Sequence, residues 1–153
     1  MRPSITPVRA PVRPRTISPD SGESVPLEDM VCALLEPFRS GIVQVLGTPG
    51  SGKSVALHHL AAVLPDSERI WFQDDADQIW PGAVSSDRLL IVTAREPEGI
   101  SQCPSLRLRL LRWGEDELIE YLLAVHREHC AAVMARVRSD PDRTHLSGVP
   151  ELW

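Results

Sequence analysis

The fold of this 153-residue chain is decided by one stretch, Ile42-Val43-Gln44-Val45-Leu46 followed by Gly47-Thr48-Pro49-Gly50-Ser51-Gly52-Lys53-Ser54. The first five residues form a largely β-branched apolar run, which is typical of a strand buried inside a parallel sheet. Residues 55–64 have the composition of a helix, and Pro65 would end it. A buried strand, a glycine-rich turn and a helix in direct succession predict an α/β fold.

The turn fits the pattern G-x-x-x-x-G-K-[ST], in which successive backbone N–H groups surround a phosphate. Lys53 is the only lysine among 16 basic residues, and it supplies a cation for the β- and γ-phosphates. The hydroxyl of Ser54 would bind Mg²⁺, so we predict a site for ATP and Mg²⁺. A glycine turn that binds nothing is the alternative. The predicted nucleotide-binding residues here are Gly47, Thr48, Pro49, Gly50, Ser51, Gly52, Lys53, Ser54 and Val55.

Further helices and strands alternate along the chain. A helix is predicted from Pro26 to about Gly41, because apolar residues recur there at helical spacing. Another helix opens at Gly114, and its extension as far as Val137 is left open. Strands are predicted over residues 42–46, 69–73, 89–93 and 106–111, the last at a sheet edge because its Leu and Arg alternate. The alternation predicts a reduced, mostly parallel sheet layered between helices.

Polar residues follow two of these strands at their carboxyl ends, where parallel strands meet a ligand. Asp74 would organise Mg²⁺, and Asp75 is the first candidate to orient an attacking water. An Asp-rich surface loop is the alternative. Thr93 and Arg95 would bring a hydroxyl and a guanidinium to the γ-phosphate, although Arg95 beside acidic neighbours equally fits a solvated loop.

Composition separates the first 26 residues from the rest. Six prolines and few large apolar side chains predict a disordered arm over residues 1–26. Residues 1–19 carry four Arg and no acid, whereas the remainder holds 12 basic and 21 acidic side chains, which argues against a nucleic-acid surface on the domain. No apolar stretch approaches the roughly 20 residues of a membrane helix. Three isolated cysteines fit a reducing cytoplasm.

Four motifs occur in a fixed order: the glycine-rich turn, Asp74-Asp75-Ala76-Asp77, Thr93-Ala94-Arg95-Glu96-Pro97 and Gly148-Val149-Pro150. This series, over residues 28–153, resembles that of the NACHT-like signal-transduction ATPases, the STAND class of P-loop NTPases. The resemblance implies a three-layer α/β/α fold with a small helical lid region. It implies that Asp74 holds Mg²⁺, that Asp75 or Asp77 acts in hydrolysis, that Arg95 senses the γ-phosphate and that Pro150 approaches the adenine.

The chain departs from this family pattern in three ways. Gln78 stands where the family has a second acidic residue, so hydrolysis would be weak or absent unless Asp75 or Asp77 replaces it. Only 20 residues separate Lys53 from Asp74, which leaves no room for a further strand and helix. The sequence also stops where the family continues into winged-helix and repeat regions, so we expect a stand-alone module or part of a longer protein.

These observations predict a nucleotide-binding core over residues 27–112 and a truncated helical, lid-like segment over residues 113–153. The leading functional hypothesis is a cytoplasmic ATP-binding regulatory switch with weak Mg²⁺-dependent hydrolysis. One alternative is a small P-loop kinase, which needs several arginines in a mobile lid. The other is a degenerate interaction module that recruits a protein partner through the N-terminal arm or the C-terminal helix. ADP release that depends on an added phosphate acceptor would favour the kinase over the switch. Partner binding that is lost when residues 1–26 are deleted would favour the interaction module.

Overall fold

A computed structural model describes residues 5–37, 40–65, 68–75, 87–95 and 105–140 of the chain. Over these ranges the protein has the predicted α/β fold. In chain order its elements are β1 (Arg15–Ile17), β2 (Ser24–Pro26), α1 (Leu27–Leu35), β3 (Gly41–Leu46), α2 (Lys53–Val63), β4 (Ile70–Gln73), β5 (Leu89–Ala94), β6 (Ser105–Arg109), α3 (Glu115–Val125), a 3-10 turn (Arg127–His129) and α4 (Cys130–Ser139).

The four strands β3 to β6 form a parallel sheet in the order β4-β5-β3-β6. The central strand is β3, whose Val43 pairs with Ile91 of β5 on one side and with Leu106 of β6 on the other. As predicted, β6 lies at an edge of the sheet, with Leu108 buried and Arg107 exposed. The connections that leave β3 and β5 run in opposite directions across the sheet. Such a switch point forms a crevice at the carboxyl ends of the strands.

One face of the sheet carries the larger part of the core. Helices α1 and α2 contribute side chains that are fully buried against strand residues such as Val43 and Ile91. Leu27 and Val31 of α1 and Leu57 of α2 are 0% exposed. Burying a side chain of this size stabilises the fold by about 2 kcal/mol. The helix behind the glycine-rich loop is therefore anchored along its length, which holds its N-terminus in a fixed position.

Residues 5–26 depart from the predicted disordered arm, and that prediction is corrected for this segment. β1 pairs antiparallel with β2, and Thr16 forms a bridge with Leu110 beyond the end of β6. The Thr16 hydroxyl donates to the carbonyl of Arg109 at 2.9 Å. Val12 is buried, with 3% of its surface exposed. The prolines keep the backbone extended, and the N–H groups of Val8 and Ala10 donate to His58 and His59 of α2, so local composition could not predict this docking.

The helix predicted to open at Gly114 is present as α3, and the extension that the sequence left open is a separate helix, α4. His126, with φ −137° and ψ 49°, ends α3, and the 3-10 turn leads into α4. The start of α3 is fixed by the Glu117 carboxylate, which accepts the backbone N–H of Gly114 at 2.7 Å. Leu118, Leu122 and Met134 form the buried contact between the two helices. No helix in the described ranges is long and apolar enough to cross a membrane.

Candidate functional site

The glycine-rich loop (residues 47–54) begins at the carboxyl ends of the two central strands. Gly47 N–H donates to the carbonyl of Ala94 at 3.2 Å, which ties the start of the loop to the end of β5. Space at this point is limited: a Cβ on Gly47 would lie 2.3 Å from Ser51 Oγ and 3.2 Å from Lys53 Cγ. The loop therefore closes on itself so tightly that a side chain at its first position would force Ser51 to move.

Two further glycines supply the backbone conformations that turn the loop into a helix. Gly50 and Gly52 have φ values of 77° and 81°, in the left-handed region that side chains disfavour. The N–H of Ser51 donates to the carbonyl of Thr48 at 3.1 Å, and α2 begins at Lys53. No acidic residue occupies the first turn of α2, so its partial positive charge is not offset there. This end of α2 is suited to bind an anion.

The polar side chains of the loop lie close to its backbone. Lys53 Nζ donates to the carbonyl of Thr48 at 2.9 Å, so the ammonium group is folded over the loop. The hydroxyl of Ser51 is buried and has no hydrogen-bond partner among the described residues. A buried hydroxyl without a partner is costly, and it fits a loop whose donors turn towards a bound group. Ser54 and Val55, the next two predicted binding residues, are exposed at the first turn of α2.

The structure brings together the predicted residues at the ends of β4 and β5. Thr93, buried in β5, donates its hydroxyl to Asp74 Oδ1 at 2.5 Å and accepts the N–H of Asp75 at 2.8 Å. Asp75 has a φ of 70°, an unusual value for a side-chain-bearing residue, which this hydrogen bond helps to hold. Val45 of β3 pairs with Thr93, so the acidic strand end is joined to the strand that leads into the loop.

The other predicted site residues are less constrained. Arg95 is exposed directly after β5. Asp77 and Pro150 lie outside the described residues. Within the described ranges, no group of three or more His, Cys, Asp or Glu side chains could hold a metal ion by itself. A cation bound near Ser54 and Asp74 would therefore have to take most of its oxygen ligands from water and phosphate, as Mg²⁺ commonly does.

A cavity of about 270 Å³ adjoins the loop, and the sequence analysis did not predict it. One wall is residues 10–15 of the N-terminal segment, and a second wall is residues 110–113 with Glu117 and Tyr121 of α3. The rings of Trp113 and Tyr121 lie 5.6 Å apart at 45° along this second wall. Ser51, Gly52 and Val55 also line the cavity and connect it to the glycine-rich loop. Trp113 lies between β6 and α3, and a tryptophan in such a connecting segment is the sequence feature that could have indicated an aromatic wall.

The N-terminal wall is fastened to the two helices α1 and α2. Arg13 Nε lies 2.7 Å from Glu28 Oε1, and the N–H of Ala10 donates to His59 Nδ1 at 3.1 Å. Burial acts to raise the pKa of Glu28, but its own backbone N–H, the Arg13 guanidinium and nearby His59 together hold that pKa below its usual value. Glu28 is thus held as a carboxylate, and the cavity wall is anchored by charge as well as by backbone hydrogen bonds.

Comparison with known proteins adds no assignment to this geometry. No protein-family model matches the chain, and no curated protein is similar enough in sequence to count as a relative. The functional argument therefore depends on the loop, the strand ends and the cavity themselves.

Proposed function

We propose that the chain is an ATP-binding P-loop domain of three-layer α/β/α type, acting in the cytoplasm as a STAND-type regulatory switch with weak Mg²⁺-dependent hydrolysis. The observation that carries this proposal is the backbone of residues 47–54. It leaves a buried central strand, turns through two left-handed glycines and enters a helix whose N-terminus carries no acidic side chain. This is the arrangement that binds the phosphates of a nucleotide.

Each polar group of the loop has a role in this proposal. The loop amides and Ser51 would bind phosphate oxygens, and Lys53 would exchange its contact with Thr48 for the β- and γ-phosphates. Ser54 and Asp74 would hold Mg²⁺, whose charge would offset that of the phosphates. The hydrogen bond from Thr93 fixes one oxygen of Asp74 and leaves the carboxylate oriented at the end of β4.

The cavity supports a nucleoside attached to those phosphates. It is contiguous with Ser51 and Gly52, and its walls combine Trp113 and Tyr121 with the prolines of the N-terminal segment. Flat heterocycles bind well between aromatic and apolar surfaces of this kind. Val55, a valine with 51% of its surface exposed, gains a role as a contact for the base or ribose.

The acidic residues that follow β4 lead us to expect slow hydrolysis of ATP. Asp75 would orient the attacking water, with Asp77 as a second acidic residue and Arg95 near the γ-phosphate. The backbone of Asp75 is held by Thr93, and its φ of 70° sets the direction in which its side chain leaves the strand. A single held carboxylate can orient a water, but the sequence has Gln78 where a second acid would assist it.

The two alternatives have less support. A kinase needs several arginines on a segment that closes over the phosphates, and the candidates are Arg107, Arg109 and Arg112. Arg107 and Arg109 are on β6, which pairs with β3, so only Arg112, which lines the cavity beyond that strand, is outside the sheet. An interaction module would use the N-terminal arm to recruit a partner. Residues 10–15 of that arm instead form a wall of the cavity.

Calorimetry with Mg-ATP and Mg-ADP tests the proposal. We expect micromolar binding to the wild type, and at least tenfold weaker binding to Lys53→Ala because a charged contact with phosphate is lost. Arg136→Ala is the matched control, since it removes the same charge from an exposed position on α4. It should leave binding unchanged. Ser54→Ala should weaken binding with Mg²⁺ present and not in EDTA.

Two further arms separate the parts of the proposal. Tripolyphosphate should bind more weakly than ATP, and replacing Trp113 with Ala should reduce the affinity for ATP but not for tripolyphosphate. Phosphate release measured on the same samples distinguishes a hydrolysing switch from a silent one. The proposal fails if the folded wild-type protein shows no affinity for either nucleotide into the millimolar range.

A further inference from the structure

Two adjacent histidines of α2 hold the N-terminal segment through opposite hydrogen-bonding roles. His58 Nδ1 lies 2.5 Å from the carbonyl of Thr6, and a carbonyl only accepts, so this nitrogen carries a proton and donates it. In His59 the roles are reversed. The N–H of Ala10 donates to His59 Nδ1 at 3.1 Å, so this nitrogen must be unprotonated. A third bond, from Val8 N–H to the carbonyl of His58 at 3.1 Å, completes the attachment.

His59 is enclosed, and its other ring nitrogen faces a charged pair. It is 4% exposed, and its Nε2 lies 3.6 Å from Glu28 Oε2 on α1. Arg13 of the N-terminal segment binds the second oxygen of Glu28 at 2.7 Å and lies 3.6 Å from Asp29. These are the charged groups that the described elements bring towards the ring. In the neutral ring Nε2 therefore carries the proton and faces the carboxylate.

We propose that His59 is a proton-sensitive latch: when Nδ1 takes up a proton, the bond to Ala10 is lost and the segment before Arg13 is released from α2 at the edge of the cavity, while Arg13 stays bound to Glu28. The protonated ring has N–H groups on both nitrogens, so Nδ1 would face the Ala10 N–H as a second donor. Glu28 stabilises the new charge only through Nε2, on the other side of the ring. It therefore cannot restore the lost bond to Ala10.

His58 provides an internal contrast. Its Nδ1 already donates to Thr6, and protonation adds a proton at Nε2 without disturbing that bond. Glu28 also stays out of the transition, because its pKa lies below the usual range of a glutamate and it remains ionised near neutral pH. Of the groups named around the latch, His59 is the one whose bond to the N-terminal segment a proton on the ring would break.

The sign follows from proton linkage. The docked segment excludes a proton that the released form accepts, so docking is favoured at higher pH and weakens as the pH falls. Imidazoles in water titrate near pH 6.5, and each pH unit below that value disfavours docking by up to about tenfold. The latch does not depend on the proposed function, because segment docking is measurable without nucleotide. If nucleotide binds in the cavity, acidification would also weaken its binding.

Amide hydrogen exchange of Ala10, measured by NMR on the full chain at pH 7.5 and 5.5, tests the latch. Protection factors are compared, so the intrinsic pH dependence of exchange cancels. We expect the wild type to lose about tenfold in Ala10 protection over this range. His59→Asn keeps an acceptor near the Nδ1 position but cannot take up a proton, so it should keep its protection. His58→Asn, the matched control, should behave as the wild type.

Equal losses in wild type and His59→Asn would overturn the latch, as would full Ala10 protection in the wild type at pH 5.5. If His59→Asn does not dock at pH 7.5, nitrogen shifts of the wild-type His59 ring decide the matter. Protonation of Nδ1 must then coincide with the loss of Ala10 protection, and titration without that loss overturns the proposal. Neither readout requires ATP, so a failure of nucleotide binding would remain distinct.

Discussion

Replacing Thr93 with valine tests whether the ends of β4 and β5 are joined as the structure has them. Valine keeps the shape of the side chain and removes the hydroxyl, which is buried with the residue at 2% exposure. Two hydrogen bonds disappear, one donated to the Asp74 carboxylate and one accepted from Asp75 N–H. A charge-assisted bond contributes about 1.5 kcal/mol and a neutral one about 1 kcal/mol. Because Asp74 and Asp75 are exposed, water replaces part of each bond.

We therefore expect Thr93→Val to lower the free energy of unfolding by about 2 kcal/mol, which corresponds to a fall of about 4–8 °C in Tm for a chain of this size. Urea denaturation followed by circular dichroism measures the change, and the slope with denaturant should be unaltered. A loss below about 0.5 kcal/mol would show that the hydroxyl does not join the strand ends, and the reasoning would be refuted.

A double-mutant cycle with Asp74→Ala isolates the bond to the carboxylate. In the Asp74→Ala background, Thr93→Val should cost about 1 kcal/mol less than in the wild type, because the charge-assisted bond is already absent. Additive losses in the two backgrounds would mean that Thr93 and Asp74 are not coupled. Thr93→Val would then act through Asp75 alone.

Two further predictions concern the loop and its anchor. Gly47→Ala places a Cβ about 1 Å inside ordinary contact with Ser51 Oγ, so it should destabilise the fold by about 1–3 kcal/mol, and adding Ser51→Ala should recover part of that loss in urea denaturation. Equal losses with and without Ser51→Ala would contradict the loop geometry. Because the pKa of Glu28 is lowered by folding, its stabilisation is present above about pH 4.5 and is lost as the pH falls through the folded value. Glu28→Gln should lower the free energy of unfolding by about 1 kcal/mol at pH 7. In thermal denaturation the difference between variant and wild type should shrink below pH 4. A difference that does not change with pH would contradict the role of Glu28 as an anchor.

The parts of the fold that the sequence predicts are those specified by short-range pattern. Residues 42–46 and 89–93 are continuous apolar runs, and both are buried strands with bounds within a residue of the prediction. The helix after the loop also agrees, because the glycines and Pro65 mark its ends. The close approach of Asp74 to Thr93 was predictable only as far as parallel strands share one edge of a sheet. Their direct hydrogen bond depends on register, which the sequence does not reveal.

The docked N-terminal segment could not be predicted, because its partners are distant along the chain. Ala10 contacts a residue 49 positions away, and Thr16 one 93 positions away. Arg13 and Glu28 were visible as charges, but nothing local indicates that they pair. The cavity was missed for the same reason, since its walls come from three separate parts of the sequence. The break between α3 and α4 at His126 could not be predicted either, because no proline or glycine marks it in the sequence.

Strand β3 is paired with β5 on one side and with β6 on the other. Local unfolding should therefore be rarer at β3 than in the docked N-terminal segment. A strand paired on both sides opens only when a neighbouring strand separates, whereas a short segment held by a few hydrogen bonds and ion pairs can open by itself at lower cost. The base of the glycine-rich loop belongs to the first kind and residues 5–14 to the second. On our proposal, phosphate is recognised by a part of the fold that opens only together with the sheet. The surface offered to the base is formed in part by residues 10–14, which can open separately from the sheet.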